Sequence, residues 1–199
     1  MKHLTDHIRN NQQIQQILQL KGERHLYLVG GTIRDIIMGS EPQDFDFSVS
    51  GSGIEFARHV SQALKGALVV LDEEEDEARI VKDDVIYDFI GLNAQGVLAD
   101  LERRDFTINA MAVDLASLEF LDPCDGIKDI KKKMIRPTTA QSLIDDPLRM
   151  LRGFRFALEL DFILHKDFFR LAKNIPLANT AAERIGYEMM RIMSAPHSA

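Results

Sequence analysis

Two aspartates one residue apart, Asp44 and Asp46, lie in the alternating run Asp44-Phe45-Asp46-Phe47-Ser48-Val49. On a strand, alternate side chains share a face, so Phe45, Phe47 and Val49 point into a core and Asp44, Asp46 and Ser48 point the other way. Two carboxylates on one face repel each other. A divalent cation with a preference for hard oxygen ligands, Mg²⁺ above all, offsets that repulsion, and it takes one or two carboxylates plus substrate phosphates. Upstream, Gly30 and Gly31 stand where the apolar run Leu26 to Val29 gives way to Thr32 to Met38. Paired glycines at a helix N-terminus let backbone N–H groups approach a phosphate, and the helix dipole favours the anion. Phosphate turn and cation strand together point to phosphoryl or nucleotidyl transfer. Arg34 fits either of two roles here, a contact to the triphosphate or a brace for the turn through a nearby acid. Each feature alone reads as a tight turn or as aspartates facing water; their order and close spacing favour the chemical reading.

Three more groups carry chemical potential. Asp88 interrupts the apolar run Val85 to Ile90, and an acid on such a strand is costly unless it is paired or binds metal. It is either a third carboxylate of the cation site or an edge residue facing solvent. Arg103 and Arg104 offer forked donors suited to phosphate, and Asp105 is placed to cap a short helix through Ala110. Farther on, Pro147 suits the first turn of a helix with Asp146 as its cap. Asp146 and Arg149 are then helical neighbours, an acceptor and a forked donor able to read the edge of a base, or else a cap and a surface ion pair.

These residues need a sheet and a helical segment to hold them. The spacing of apolar residues predicts a helix over Leu4 to Leu20, a strand over Leu26 to Val29, a short helix to Met38 ended by Gly39, the Asp44 strand, and a helix from Gly51 to Lys65. A strand Ala67 to Leu71 follows, then a hairpin of Glu77 to Val81 and Val85 to Ile90 turning at Lys82-Asp83-Asp84, and a last hairpin of Met111 to Ala116 and Glu119 to Leu121. Asp122 to Lys132 reads as a turn running into a short helix. Beyond Pro137 the pattern predicts helices only, with Leu148, Leu151, Phe154 and Leu158 buried on one, Arg149, Arg152 and Arg155 on its basic side, and Ile185, Met189, Ile192 and Met193 as a packing stripe on the last.

At 199 residues with 45% hydrophobic and 28% charged residues, the composition is that of a globular protein with room for one sizeable domain or a domain and an appendage. No apolar run is long enough to span a membrane, and the first residues lack an apolar signal-peptide core. A single cysteine, Cys124, excludes an internal disulfide framework and fits a reducing cytoplasm. The net charge of −7 argues against gripping nucleic acid with the whole surface. Lys131 to Lys133 and the arginines at 149, 152 and 155 form local basic patches, and Asp72 to Glu77 reads as a solvated acidic turn.

The run GGTIRDIIMG followed by DFD resembles the signature of the DNA polymerase β nucleotidyltransferase superfamily, and in particular bacterial class II tRNA nucleotidyltransferases and poly(A) polymerases. RRDFTINAMA, at Arg103 to Ala112, is similar to a signature of that family almost letter for letter, and IDDPLRMLRGFRFALELDF and DPCDGIKDI are further matches. The resemblance implies an α/β fold: a polymerase β-like head with a small mixed sheet and flanking helices over residues 1–138, followed by an all-helical neck over 139–199. It implies that Asp44, Asp46 and Asp88 converge as catalytic carboxylates holding two Mg²⁺ ions. It implies a nucleotide site of Gly30, Gly31, Arg34, Arg104, Asp105, Asn109, Asp145, Asp146, Arg149 and Arg152, in which Arg104, Asp105 and Asn109 lie along sugar and phosphates and the neck residues choose the base without a template. The reaction implied is addition of C, of A or of both to a tRNA 3′ end from CTP and ATP. Poly(A) polymerase and A-adding activity remain open, as does a catalytically inactive nucleotide-sensing module, which the intact carboxylates argue against.

The chain departs from the family's pattern in three places. Asp145 stands where the family usually has Glu. The family continues past the neck with a helical body and tail that hold RNA, so this chain reads as an N-terminal portion. The segment Gly91 to Ala99 is short and lacks the Arg that many relatives carry after the third carboxylate, which raises the expectation of an enzyme that stops after adding C.

Overall fold

A computed structural model describes residues 2–173, 175–177 and 180–195. Two compact units are formed: Met1–Leu101 with Met111–Asp122, and Glu102–Ala110 with Pro123–Ala199. The division expected near residue 138 thus falls earlier, and 102–110 leave the first unit. The reason is apolar: Phe106 and Ile108 are fully buried in a cluster with Ile135, Leu143, Met150, Phe156, Phe162 and Phe168.

The first unit runs α1 (Lys2–Asn10), α2 (Gln12–Gln19), β1 (Leu26–Val29), α3 (Gly30–Met38), β2 (Asp44–Ser50), α4 (Gly53–Leu64), β3 (Ala67–Asp72), β4 (Glu77–Lys82), β5 (Val85–Leu92), α5 (Gly96–Glu102), β6 (Ala112–Asp114) and β7 (Phe120–Leu121), with α5 ending at the unit boundary. The seven strands form one mixed sheet in the order β3-β4-β5-β2-β1-β6-β7. Among the described strands of this sheet, β2 and β5 alone pair in parallel, which requires a crossover; the connection is α4 with the β3–β4–β5 meander. Phe47 stacks on Phe89 and Phe56 of α4 meets Phe89 edge-on, at 5.3 and 5.4 Å between ring centres. These three rings bury the face of β2 that the alternation assigned to the core.

Two expectations for this unit change. The helix expected over Leu4 to Leu20 is two helices, because the Asn11 side chain accepts a hydrogen bond from Ile14 N (2.9 Å) and caps a second start. The acidic turn is not merely solvated. Asp76 accepts from Ser52 Oγ (2.8 Å), Gly53 N (2.7 Å) and Ile54 N (3.0 Å), and so satisfies the free N–H groups at the start of α4. A Cβ at Gly91 would lie 1.9 Å from the Asp76 carboxylate, so glycine is required there.

The second unit adds a 3-10 turn (Thr107–Asn109), α6 (Gly126–Lys131), β8 (Met134–Ile135), α7 (Ala140–Asp145), α8 (Arg149–Leu160), β9 (Ile163–Leu164), α9 (Lys166–Ala172) and α10 (Ala182–Ser194). The neck is therefore not purely helical: β9 pairs in parallel with β8. On α8 the buried face is Met150, Gly153, Arg155 and Phe156, whereas Phe154 is exposed. A Cβ at Gly153 would meet the Phe168 ring at 2.5 Å; that close approach turns the helix away from the expected stripe. Arg155 leaves the basic side because Glu188 and Glu159 bind its guanidinium at 2.7 and 2.8 Å. On α10 Met189 and Met193 are exposed, and the helix is anchored instead by the buried Glu188.

Candidate active site

In the first unit, the strand pairing sets the acids. Asp46 stands beside Asp88 in the parallel β2–β5 register, and Asp44 beside Ile86. Asp44, Asp46 and Asp88 therefore share one face of two adjacent strands about 4.8 Å apart. At the helix start, Gly30 has φ +65°, a conformation that favours glycine. A Cβ at Gly31 would sit 3.3 Å from Asp46 Oδ2. Thr32, which sequence reasoning did not single out, ties the helix start to the acid strand. Its Oγ1 donates to Asp44 O (3.1 Å) and accepts from Asp46 N (2.8 Å), and its own N–H points at Asp46 Oδ2 (3.4 Å). The Gly-Gly-Thr order was the available signal. Arg34 takes the bracing option, with Nε on Asp35 Oδ1 at 2.8 Å.

Asp88 does not stand as a ready-made third ligand. Arg79 of β4 grips it with both arms of the guanidinium, Nε to Oδ1 and Nη2 to Oδ2, each at 2.7 Å. Among the described residues, no three His, Cys, Asp or Glu side chains converge closely enough to hold a metal ion. Asp44 and Asp46 still fit Mg²⁺ by donor type, hard oxygens on one face next to a helix start that can hold phosphate oxygens. The Asp88 hydrogen bonds raise the Arg79 pKa. Burial, followed by the negative charge of Asp88, raises that of Glu77 on the same face.

In the second unit, Asp105 is the centre. Its Oδ2 accepts from Arg152 Nε (2.9 Å) and Nη2 (2.7 Å). Its Oδ1 accepts from Phe106 N (2.8 Å) and Asn109 Nδ2 (3.0 Å). Burial opposes the charge of Asp105, but Arg152 and Asn109 outweigh it and bring the pKa down to about 2. Asp105 was expected to cap the following helix. The residue at that position is Phe106, without a side-chain bond; the Asp105 carboxylate divides instead between Arg152 on one oxygen and Phe106 N and Asn109 on the other. Arg104 lends its carbonyl to Thr138. Arg149 Nη1 donates to the carbonyls of Arg103 and Ser142, both at 2.9 Å.

The side chains of Asp146 and Arg149 do not pair, although the Arg149 N–H donates to the Asp146 carbonyl at 3.0 Å. Asp146 accepts from Leu148 N (3.1 Å) and pairs with Arg184 (2.9 Å). Asp145 is exposed at the end of α7 and accepts from Gln141. The structure thus joins Asp105, Asn109 and Arg152 in one cluster and leaves Asp145 outside it. Among the described residues no helix is long and apolar enough to cross a membrane.

Residues 26–136 match the poly(A) polymerase head domain. A CC-adding tRNA nucleotidyltransferase of Geobacter sulfurreducens is 38% identical over 176 residues, covering 86% of this chain and 41% of that protein. An A-adding tRNA nucleotidyltransferase of Halalkalibacterium halodurans is 29% identical, covering 94% of this chain and 50% of that one. Among solved structures, the Thermotoga maritima CCA-adding enzyme complexed with tRNA superposes with a TM-score of 0.84 at 30% identity, over 99% of this chain and 50% of that one. The chain thus spans half or less of these relatives, and the matched residues 26–136 contain the glycine turn, the Asp44–Asp46 strand and the Arg103–Ala112 segment described above. It belongs to the family of the poly(A) polymerase head domain.

Proposed function

We propose that this chain carries the nucleotidyl-transfer portion of a tRNA 3′-end nucleotidyltransferase that adds C from CTP, with A addition from ATP as the second reading. The observation that carries the reading is the acid face of β2 and β5 joined by Thr32 to a glycine-opened helix start. Mg²⁺ ions bound there would lower the pKa of the attacking 3′ hydroxyl and stabilise the leaving pyrophosphate. Asp44 and Asp46 offer the oxygens for those ions, with Asp88 as the third acid. The N–H of Gly31 and the positive end of the α3 dipole are assigned to triphosphate oxygens, with Arg34 released from Asp35 as a further donor. Arg104, Asp105, Asn109 and Arg152 are assigned to sugar and phosphates, and Asp145, Asp146 and Arg149 to base choice. The single cysteine supports the cytoplasm as compartment.

Two facts favour C addition. The CC-adding relative has the higher identity of the two. Between the Asp88 strand and α5 lie only the few residues after Leu92 and before Gly96, with no space for a long mobile loop. The test is incubation of the full-length protein and its Asp46→Asn variant with Mg²⁺, CTP, ATP and tRNA lacking its 3′ end, followed by product sequencing. Products ending in CC support the reading; CCA ends overturn the CC restriction, A additions alone favour the A-adding or poly(A) alternative, and full turnover by folded Asp46→Asn overturns the mechanism.

A further inference from the structure

The β4–β5 hairpin turns on Asp83 and Asp84, both left-handed with φ 48° and 64°, as a two-residue turn of type I′ requires. Lys82 pairs with Val85 across it. A two-residue turn locks the register, and counting back places Arg79 opposite Asp88. The parallel β2–β5 register then places Asp46 on the far side of Asp88. Three adjacent strands thus present one row, Asp46, Asp88, Arg79, with Asp44 two residues along the first. The arginine fork occupies both oxygens of the middle acid. Asp88 is 17% exposed and Arg79 38%, so the carboxylate is largely shielded while the arginine remains within reach of solvent.

We propose that Arg79 is a positioning residue that acts as the resident counter-cation of the acid row, so that the row holds a divalent cation firmly only together with a nucleotide's phosphates. This rests on the reading of the row as a cation site. Three same-face carboxylates with no arginine would form an acidic pocket able to take a divalent ion from solution. Arg79 neutralises one negative charge in that pocket and binds both oxygens of Asp88. Because a guanidinium does not deprotonate, this counter-charge does not titrate away. What remains, Asp44 and Asp46, suits an ion that brings phosphate oxygens as its other ligands, the usual arrangement for Mg²⁺. The consequence is ordered loading: cation and nucleoside triphosphate arrive together.

Mn²⁺ serves as the probe, its free concentration followed by electron paramagnetic resonance with this chain, with and without CTP. Wild type is expected to bind Mn²⁺ weakly alone and more tightly with CTP. Arg79→Ala is expected to bind it at least about tenfold more tightly without nucleotide, roughly 1.4 kcal/mol, and Arg79→Ala with Asp88→Asn to return to the wild-type level. Arg79→Lys, which keeps the charge and loses the fork, should stay weak. Nucleotide-free affinity in folded Arg79→Ala that equals or falls below wild type overturns the proposal. Asp46→Asn in the Arg79→Ala background separates the two levels of inference. Loss of the tight site locates it on the acid row, whereas tight binding that survives this substitution refutes the row as the cation site altogether. Far-UV circular dichroism of each variant confirms that affinities compare folded proteins.

Discussion

Replacing Asp105 by Asn tests the electrostatic centre of the second unit. Asn keeps the shape of the carboxylate and removes its charge, so it imitates the protonated acid. The carboxyl pKa falls from an ordinary 3.8 to about 2 in the fold, and at 1.36 kcal/mol for each pKa unit the charged form contributes about 2 kcal/mol to stability at neutral pH. A depressed folded pKa means that this contribution is complete above the unfolded value and is lost as pH falls through the folded one. The stability gap between wild type and Asp105→Asn should therefore be about 2 kcal/mol at neutral pH, shrink below about pH 4, and close toward pH 2. Urea unfolding followed by circular dichroism suits a chain without tryptophan. Arg152→Ala should cost a similar amount, and the double variant little more than either, because the two side chains share one interaction. A gap that stays constant between neutral pH and pH 3, or additive single costs, would falsify the assignment of the stabilisation to the Asp105–Arg152 pair.

Other expectations concern single contacts. Asp76→Ala removes the acceptor of three groups at the start of α4 and should lower unfolding free energy by about 1–3 kcal/mol in urea titration; an unchanged midpoint would show that water satisfies those groups equally well. Gly31→Ala pushes a methyl to within 3.3 Å of Asp46 Oδ2 and should weaken CTP binding in calorimetry more than it lowers the melting temperature, the reverse order arguing for a purely structural glycine. Arg149→Ala should blur the choice among C, A and U in single-nucleotide incorporation, losing about 1–3 kcal/mol of discrimination, and unaltered selectivity would remove Arg149 from base choice. With its net charge of −7, this chain should bind CTP yet hold tRNA poorly at physiological salt, since RNA affinity needs several phosphate contacts; efficient tRNA elongation by residues 1–199 alone would contradict that.

Local pattern was enough for the head. The alternation from Asp44 to Val49 placed two acids on one face and three apolar residues in the core, because period-two side-chain direction is a property of the strand itself. Gly30 and Gly39 marked the two ends of α3, as the positive φ at those points depends on the missing Cβ. The β4–β5 hairpin was legible from its turn. What local pattern could not reach were partners distant in the chain. Asp76 caps α4 and Thr32 ties α3 to β2, and each depends on which elements become neighbours in the fold; Arg79 meets Asp88 across the hairpin only because the turn is the two residues Asp83 and Asp84, not the three from Lys82, which shifts the register by one. In the second unit, the buried face of α8 was misread because Gly153 yields to Phe168 and Arg155 is buried against Glu188. Hydrophobicity ranks neither a glycine nor an arginine as core. Asp105 passed for a helix cap because its ion-pair partner, Arg152, lies 47 residues away, and only the folded chain brings a forked cation close enough to keep a buried carboxylate charged.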